Sequence, residues 1–416
     1  MSATGLFLPC AGGVESLLAA EVSALTGVAA EVARGGVWVA GDEATAMRLN
    51  LESRLAQRVL WPLVDGPYRD EHDLYALARR VDWARWITPA QSLRVDVSAQ
   101  RSPLKSLNFA ALRIKDAVCD SLRERTGQRP SVDTRSPDLP IALFVGPEHA
   151  MLYVDTSGEP LFKRGWREDT GEAPLKETLA AAMLAAAGWQ GREADGPLFD
   201  PCCGAGTIAI EAAQIACGIV PGSQRRFAFE RLQPFAPFMA EWRAMQAAAR
   251  ERVHASAVPI HAGDVSFRMT DFAERNARRA GVLAPGREAI AFRTADALQR
   301  LPPALAGTLL LNPPYGERMG PKGQGASREA FDGGAGAGEF FAALAAHWKR
   351  QYAGWTAWVL SPEMKLPTLM RLKESARVPL WNGGIECRLF RFDMRHGAGP
   401  GRAPPAPGGP AAGQNL

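Results

Sequence analysis

Asn312-Pro313-Pro314-Tyr315 follows an apolar run, Thr308-Leu309-Leu310-Leu311, and precedes Gly316. Two consecutive prolines fix the backbone and withdraw two N–H donors. An amide side chain, carbonyl oxygens and an aromatic ring remain. That set suits a planar group bearing an exocyclic amine. The amine donates to the Asn312 side-chain oxygen and the Pro313 carbonyl, and the Tyr315 ring stacks on its face. Such an amine is a poor nucleophile because its lone pair is delocalised into the ring. Two acceptors favour a pyramidal nitrogen, and their gain grows as positive charge develops during transfer. No strong base is then required, and no histidine stands near the motif. A strand-to-loop exit with a Pro-Pro stop is the alternative for the tetrapeptide taken alone.

A second constellation lies upstream. Asp200-Pro201-Cys202-Cys203-Gly204-Ala205-Gly206-Thr207 follows a short apolar strand and opens a helix, Ile208–Cys217. Glycines at 204 and 206 let a ligand approach the backbone closely. The spacing Gly204-x-Gly206-x-x-Ala209 satisfies a loose dinucleotide fingerprint. Two facts oppose a dinucleotide. Asp200 stands where a pyrophosphate would dock, and like charges repel there. The next strand-end acid, Asp264, comes far later than the roughly 20 residues a ribose-binding acid needs. Asp200 suits instead a ligand with a cationic amine, such as the methionine part of S-adenosylmethionine. Asp264 is placed to accept ribose hydroxyls, and Asp296 to accept from an adenine amine. Cys202 and Cys203 read as small residues in a crowded turn, not as catalytic thiols.

These residues need an α/β frame. From about 163 to 395 the pattern predicts strands at Leu198–Cys202, Ile260–Val265, Ile290–Ala295, Thr308–Leu311, Thr356–Leu360 and Cys387–Phe392. Helices are expected between the first four, as in a doubly wound parallel sheet. Upstream, residues 1–58 read as a small α/β unit. It has a strand at Leu6-Phe7-Leu8, a helix carrying Val14, Leu18, Val22 and Leu25 that stops at Gly27, and two short strands around Gly35-Gly36. Residues 59–162 form a second α/β segment with an alternating strand, Leu93–Ala99, and a helix from Leu107 to Arg125. Gly320–Gly338 is expected to be a mobile loop, and residues 396–416 a disordered tail.

Composition narrows the class. No apolar run approaches a membrane span and no secretory segment is visible, so a cytoplasmic protein is the expectation. The six cysteines lack C-x-x-C spacing, which argues against a zinc ribbon, and no metal is expected. Net charge is only +4, so charge alone does not point to nucleic acid. The cations are 40 Arg against 8 Lys, and arginine matches phosphate bidentately; a GC-rich genome would produce the same bias. Residues 91–130 carry eight basic residues against four acidic ones. That excess suits a phosphate backbone or a solvated helix face. Arg101, Lys105 and Arg113 here, Arg164 and Arg167 at the following joint, and Arg225 and Arg226 beside Phe227 are the candidate RNA contacts.

Taken together, Asp200-Pro-Cys-Cys-Gly-Ala-Gly-Thr, Asp264, Asp296 and Asn312-Pro-Pro-Tyr resemble the class I S-adenosylmethionine-dependent methyltransferases that act on exocyclic amines. Residues 59–162 resemble a THUMP RNA-binding domain, preceded by its usual ferredoxin-like unit. The joint Phe162-Lys-Arg-Gly-Trp-Arg167 with Ala173–Ala180, and the stretch Pro379–Leu389, are similar to the same family. The resemblance is strongest to bacterial 23S rRNA guanine-N2 methyltransferases in their single-catalytic-domain form. It implies a Rossmann-like catalytic domain over 163–395 behind ferredoxin-like and THUMP domains. The implied substrate is 23S rRNA or a large-subunit precursor particle. The implied donor site comprises Asp200, Cys202, Gly204, Gly206, Thr207, Asp264, Val265, Asp296 and Ala297. Asn312, Pro313 and Tyr315 are the implied catalytic set. One departure is Val265-Ser266-Phe267, where many relatives carry a second acid. tRNA guanine-N2 methylation, DNA adenine-N6 methylation and a non-catalytic rRNA-binding assembly factor stay open as alternatives.

Overall fold

The computed structural model describes residues 5–171, 174–313 and 335–395. Tyr315, Pro314, Ala173, most of the Gly-rich stretch and the tail lie outside the described residues.

The N-terminal half is built on one eight-stranded sheet. Its strands are β1 (Gly5–Pro9), β2 (Glu31–Ala33), β3 (Gly36–Ala40), β4 (Leu60–Pro67), β5 (Ser92–Ala99), β6 (Ser131–Val132), β7 (Leu139–Val145) and β8 (His149–Asp155). The order is β2-β3-β1-β4-β8-β7-β5-β6. Antiparallel β4 pairs with β8 along its length and touches β1 only at Phe7↔Leu60. The two expected N-terminal units therefore share one sheet. Helix α1 (Glu15–Thr26) ends at Gly27, whose φ of 73° is left-handed and suits glycine. The other helices of this half are α2 (Glu43–Glu52), α3 (Glu71–Ala78) and α4 (Leu107–Thr126).

The C-terminal half carries strands β9 (Leu198–Asp200) and β10 (Ile260–Asp264), a hairpin of two-residue strands β11–β12 (Leu283–Ala284 and Arg287–Glu288), then β13 (Ile290–Thr294), β14 (Gly307–Leu311), β15 (Trp355–Ser361), β16 (Ala376–Asn382) and β17 (Ile385–Asp393). The seven-stranded sheet runs β13-β10-β9-β14-β15-β17-β16. Strands β13, β10, β9, β14 and β15 are parallel, and β17 and β16 close the edge antiparallel. Helices α5 (Glu177–Ala187), α6 (Thr207–Ala216), α7 (Met239–Glu251), α8 (Phe267–Arg279), α9 (Ala335–Gln351) and α10 (Leu366–Met370) accompany it. One expectation is corrected: no helix joins β13 to β14. Pro302 and Pro303 interrupt that connection, and proline removes the N–H groups a helix would use.

The chain builds β9, β10 and β13 outward in one direction and then returns with β14 to the other side of β9. That reversal between β9 and β14 is a topological switch point, where open α/β sheets leave a crevice at the strands' carboxyl ends. The halves dock closely. The Trp381 N–H donates to the Gly12 carbonyl at 3.1 Å. A Cβ on Gly13, with φ of 82°, would meet the Pro379 carbonyl oxygen at 2.1 Å.

Candidate methyl-donor and target-amine site

The parallel register brings four sequence-predicted polar groups to one sheet edge. Asp264 ends β10, Asp200 ends β9, Asp296 lies two residues past β13, and Asn312 follows β14. Across the sheet their order is 296, 264, 200, 312. Asp200 and Asn312 therefore flank the switch point.

The glycine loop is tied to these acids by its backbone. The Gly204 N–H donates to Asp264 Oδ2 at 3.0 Å and the Ser266 N–H to Oδ1 at 2.9 Å. The Cys202 N–H donates to Asp200 Oδ1 at 3.1 Å. The Cys203 N–H reaches the Gly263 carbonyl at 2.8 Å. Gly204 and Gly206 both hold positive φ, 52° and 89°, but for different reasons. A Cβ on Gly206 would press on Ala273 of α8 at 3.0 Å, whereas a Cβ on Gly204 would meet open space. Gly206 is a packing glycine; Gly204 leaves room for a ligand. Thr207 opens α6 behind them and accepts from Arg167 Nη2 at 2.8 Å.

The electrostatics of this edge are one-sided. Asp200 is buried, and burial together with neighbouring Asp264 holds its carboxyl well above the usual carboxylate range. Burial also raises Asp264. None of Asp200, Asp264 and Asp296 forms an ion pair among the described residues. Burial, then the charges of Asp200, Asp264 and Asp296, push the Cys202 thiol far up, so it stays protonated and is no nucleophile. Asp296 holds its turn by accepting from the Leu298 N–H at 2.8 Å. Ala297 is buried beside it, and Val265 is largely exposed on the rim.

Asn312 completes the edge. Its side-chain oxygen is buried and has no hydrogen-bond partner among the described residues. A buried acceptor without a donor costs about 1–3 kcal/mol, so it marks a place where a donor arrives. Pro313 is buried next to it.

The expected RNA contacts divide. Arg101 and Lys105 are exposed at the loop before α4. Arg113 lies 4.5 Å over the Tyr75 ring and 3.7 Å from Asp116. Arg167 pairs with Glu177 at 2.7 Å, and Arg226 is exposed. Arg164 is a correction: its guanidinium is buried against Glu211 and cannot reach RNA. Arg225 spends its Nη donors on backbone carbonyls, including Pro160 at 2.7 Å and Lys163 at 3.1 Å. Sequence reasoning missed Asn276, which donates to the Ala205 carbonyl at 3.1 Å and the Asp169 carbonyl at 2.9 Å, bracing the glycine loop from α8. The available signal was its position on a helix face otherwise made of Thr270, Ala273 and Ala277.

A methyltransferase-domain model described as RMKL-like matches residues 164–391. The chain belongs to this methyltransferase family. A THUMP domain model matches residues 68–155, and an RlmL ferredoxin-like domain model matches residues 5–60. A Synechocystis protein whose name assigns it provisionally to RNA methyltransferases is 34% identical over 389 residues, covering 93% of this chain and 96% of its own. The ribosomal RNA large subunit methyltransferase K/L of Syntrophotalea carbinolica is 37% identical over 394 residues, covering 92% of this chain and 52% of its own. The chain spans about half the length of the K/L relatives it matches. Among solved structures, the methyltransferase SMU.472, provisionally so named and solved with SAH, superposes with a TM-score of 0.81 at 25% identity. It covers 94% of this chain and 98% of its own. S-adenosylmethionine fits the edge described here. Three acids without ion pairs among the described residues would face a cationic ligand rich in hydrogen-bond donors, and Gly204 leaves space beside them.

Proposed function

We propose that this protein methylates the exocyclic N2 of a guanine in 23S rRNA, with S-adenosylmethionine as donor. The buried oxygen of Asn312, without a hydrogen-bond partner among the described residues and at the switch point beside the strand-end acids, carries the reading. When bound, the donor supplies an electrophilic methyl group on a sulfonium. Asp200 would hold its ammonium, Asp264 its ribose hydroxyls and Asp296 its adenine amine. Asn312 Oδ1 and the Pro313 carbonyl accept the two hydrogens of the target amine. They hold it in place and stabilise the charge that grows on nitrogen. Tyr315 is assigned the face of a base turned out of its helix or already unpaired.

The THUMP match and the RNA and rRNA names of the relatives support RNA as substrate. Guanine rests on the family resemblance, since an amide oxygen and a carbonyl accept equally from an adenine amine. A Listeria monocytogenes structure, TM-score 0.79 at 25% identity, is named provisionally as an N6-adenine-specific DNA methylase. Adenine in DNA is thus the second reading.

Asn312→Ala tests the assignment. Turnover on rRNA should vanish while S-adenosylmethionine affinity by titration calorimetry stays within about twofold. Equal losses in both would remove Asn312 from the amine's partners. Mass mapping of rRNA from a deletion strain identifies the base: one missing N2-methylguanosine is expected, and intact rRNA with altered DNA methylation selects the second reading.

A further inference from the structure

A cavity of about 520 Å³ opens at the joint between the two halves. Its walls come from the link after β8, from the start of α5 and from the Arg225-Arg226 corner. The volume lies within the ~300–1,000 Å³ of typical ligand pockets. None of Asp200, Asp264, Asp296 and Asn312 lines it, so it is separate from the donor edge.

Its charge is the informative property. Lys163 is neutralised by Glu159, and Arg167 by Glu177 at 2.7 Å. Lys176, Arg225 and Arg226 have no carboxylate in ion-pair reach among the described residues. Arg225 gives its Nη1 and Nη2 hydrogens to carbonyl oxygens and lies 4.9 Å over the Phe227 ring, contacts that do not cancel its charge, and its Nε has no hydrogen-bond partner among the described residues. Burial, reinforced by Arg164, lowers its pKa to about 10, which still leaves it charged at neutral pH. Arg167 Nη1 is buried with no hydrogen-bond partner among the described residues. Lys176 Nζ sits 5.0 Å over the Phe162 ring. Among the described residues the cavity wall thus carries three cations without a carboxylate partner and one aromatic ring, and Arg167, which lines it, keeps one buried N–H without a partner.

We propose that this cavity takes a phosphate of the substrate RNA backbone. The inference rests on the RNA reading of the donor edge and extends it, because it places a strand contact where the THUMP half meets the catalytic half. A phosphodiester brings one negative charge and several acceptors, which match Lys176, Arg226 and the free Arg167 N–H. The contact reads no base. It fixes where the strand lies, as phosphate contacts do. Arg167 also bonds Thr207 at the first turn of α6, so the same side chain touches the cavity and the helix behind the donor loop.

The test compares wild type, Arg226→Glu and the Lys176→Ala/Arg226→Ala double variant. A short mixed-sequence RNA is titrated by fluorescence anisotropy across a salt series. Donor affinity by calorimetry and the melting temperature report on the fold. RNA affinity should fall about tenfold in the double variant, and the log–log salt slope should shrink by about one. Donor affinity should stay within about twofold. On rRNA substrate, KM should rise with kcat nearly unchanged. If wild type binds RNA and both variants match it in affinity and slope, the cavity is not a phosphate site. If wild type binds no RNA at any salt, the RNA reading fails and takes this inference with it.

Discussion

Arg164 Nε donates to Glu211 Oε1 at 3.0 Å, and neither side chain is more than 1% exposed. Arg164 Nη2 also donates to the Arg54 carbonyl at 2.7 Å, and Arg54 Nη1 lies 3.7 Å from Glu211 Oε2. One buried carboxylate on α6 thereby joins the N-terminal half, the domain joint and the helix that begins at the glycine loop. Removing one partner of a buried pair strands a charge, which costs about 3–5 kcal/mol. Arg164→Ala should lose about that much in chemical denaturation. Arg164→Met with Glu211→Leu should recover only part of it, because the double variant removes the Arg164–Glu211 pair but leaves largely buried Arg54 without its nearest carboxylate. Full recovery in the double variant would show that Arg54 does not depend on Glu211.

The two loop glycines should separate by function. Gly206→Ala combines left-handed strain with pressure on Ala273 and should lose roughly 1–3 kcal/mol of stability. Gly204→Ala meets nothing within 4 Å, so its stability loss should stop at about 1–2 kcal/mol of backbone strain. Its Cβ would nonetheless enter the space left for the donor, so calorimetry should show weaker S-adenosylmethionine binding out of proportion to the stability change. If Gly204→Ala binds the donor as wild type does, the donor does not lie against that backbone.

Gly13 is one of the points at which the halves dock. Alanine there would place Cβ 2.1 Å from the Pro379 carbonyl oxygen, and backbone on both sides must shift to admit it. Gly27→Ala is the control: its φ of 73° is similarly left-handed but its Cβ position is open. Limited proteolysis should cut Gly13→Ala between its halves faster than Gly27→Ala. Equal rates would show that the Gly12–Trp381 contact does not hold the halves together.

Much of the placement of the candidate donor edge was legible because short-range rules govern it. Asp200 and Asp264 end strands, and Asp296 follows a third by two residues; local apolar runs announce these strands, and parallel pairing then aligns the acids. The glycines were legible as glycines, but not that Gly206 serves packing and Gly204 space; that difference depends on Ala273, far away in sequence. The shared N-terminal sheet was not legible. It depends on β1 meeting β4 at Phe7↔Leu60 across about 50 residues of chain, and no local pattern encodes a long-range partner. Arg164 was misread for the same reason. A basic residue beside Lys163 and Arg167 looks like surface until Glu211 is brought to it. The absent helix between β13 and β14 was announced by Pro302-Pro303, a signal outweighed by the regular alternation around it.

Asp200 should make donor binding and stability respond to pH with opposite signs. Burial and Asp264 raise its carboxyl pKa in the free protein, and a bound ammonium would favour the ionised form. Donor binding should then release a proton, and affinity should rise with pH until the raised pKa is passed. Stability runs the other way. A carboxyl raised on folding binds its proton more tightly when folded, so its contribution is full below the ordinary carboxylate pKa. That contribution is lost as pH rises through the folded value. Asp200→Asn, neutral at every pH, should therefore stabilise the free protein near neutrality while weakening donor binding and abolishing its pH dependence. Calorimetry in buffers of different ionisation enthalpy measures the proton release directly. Zero release in wild type, with Asp200→Asn binding unimpaired, would show that Asp200 does not hold the donor's ammonium.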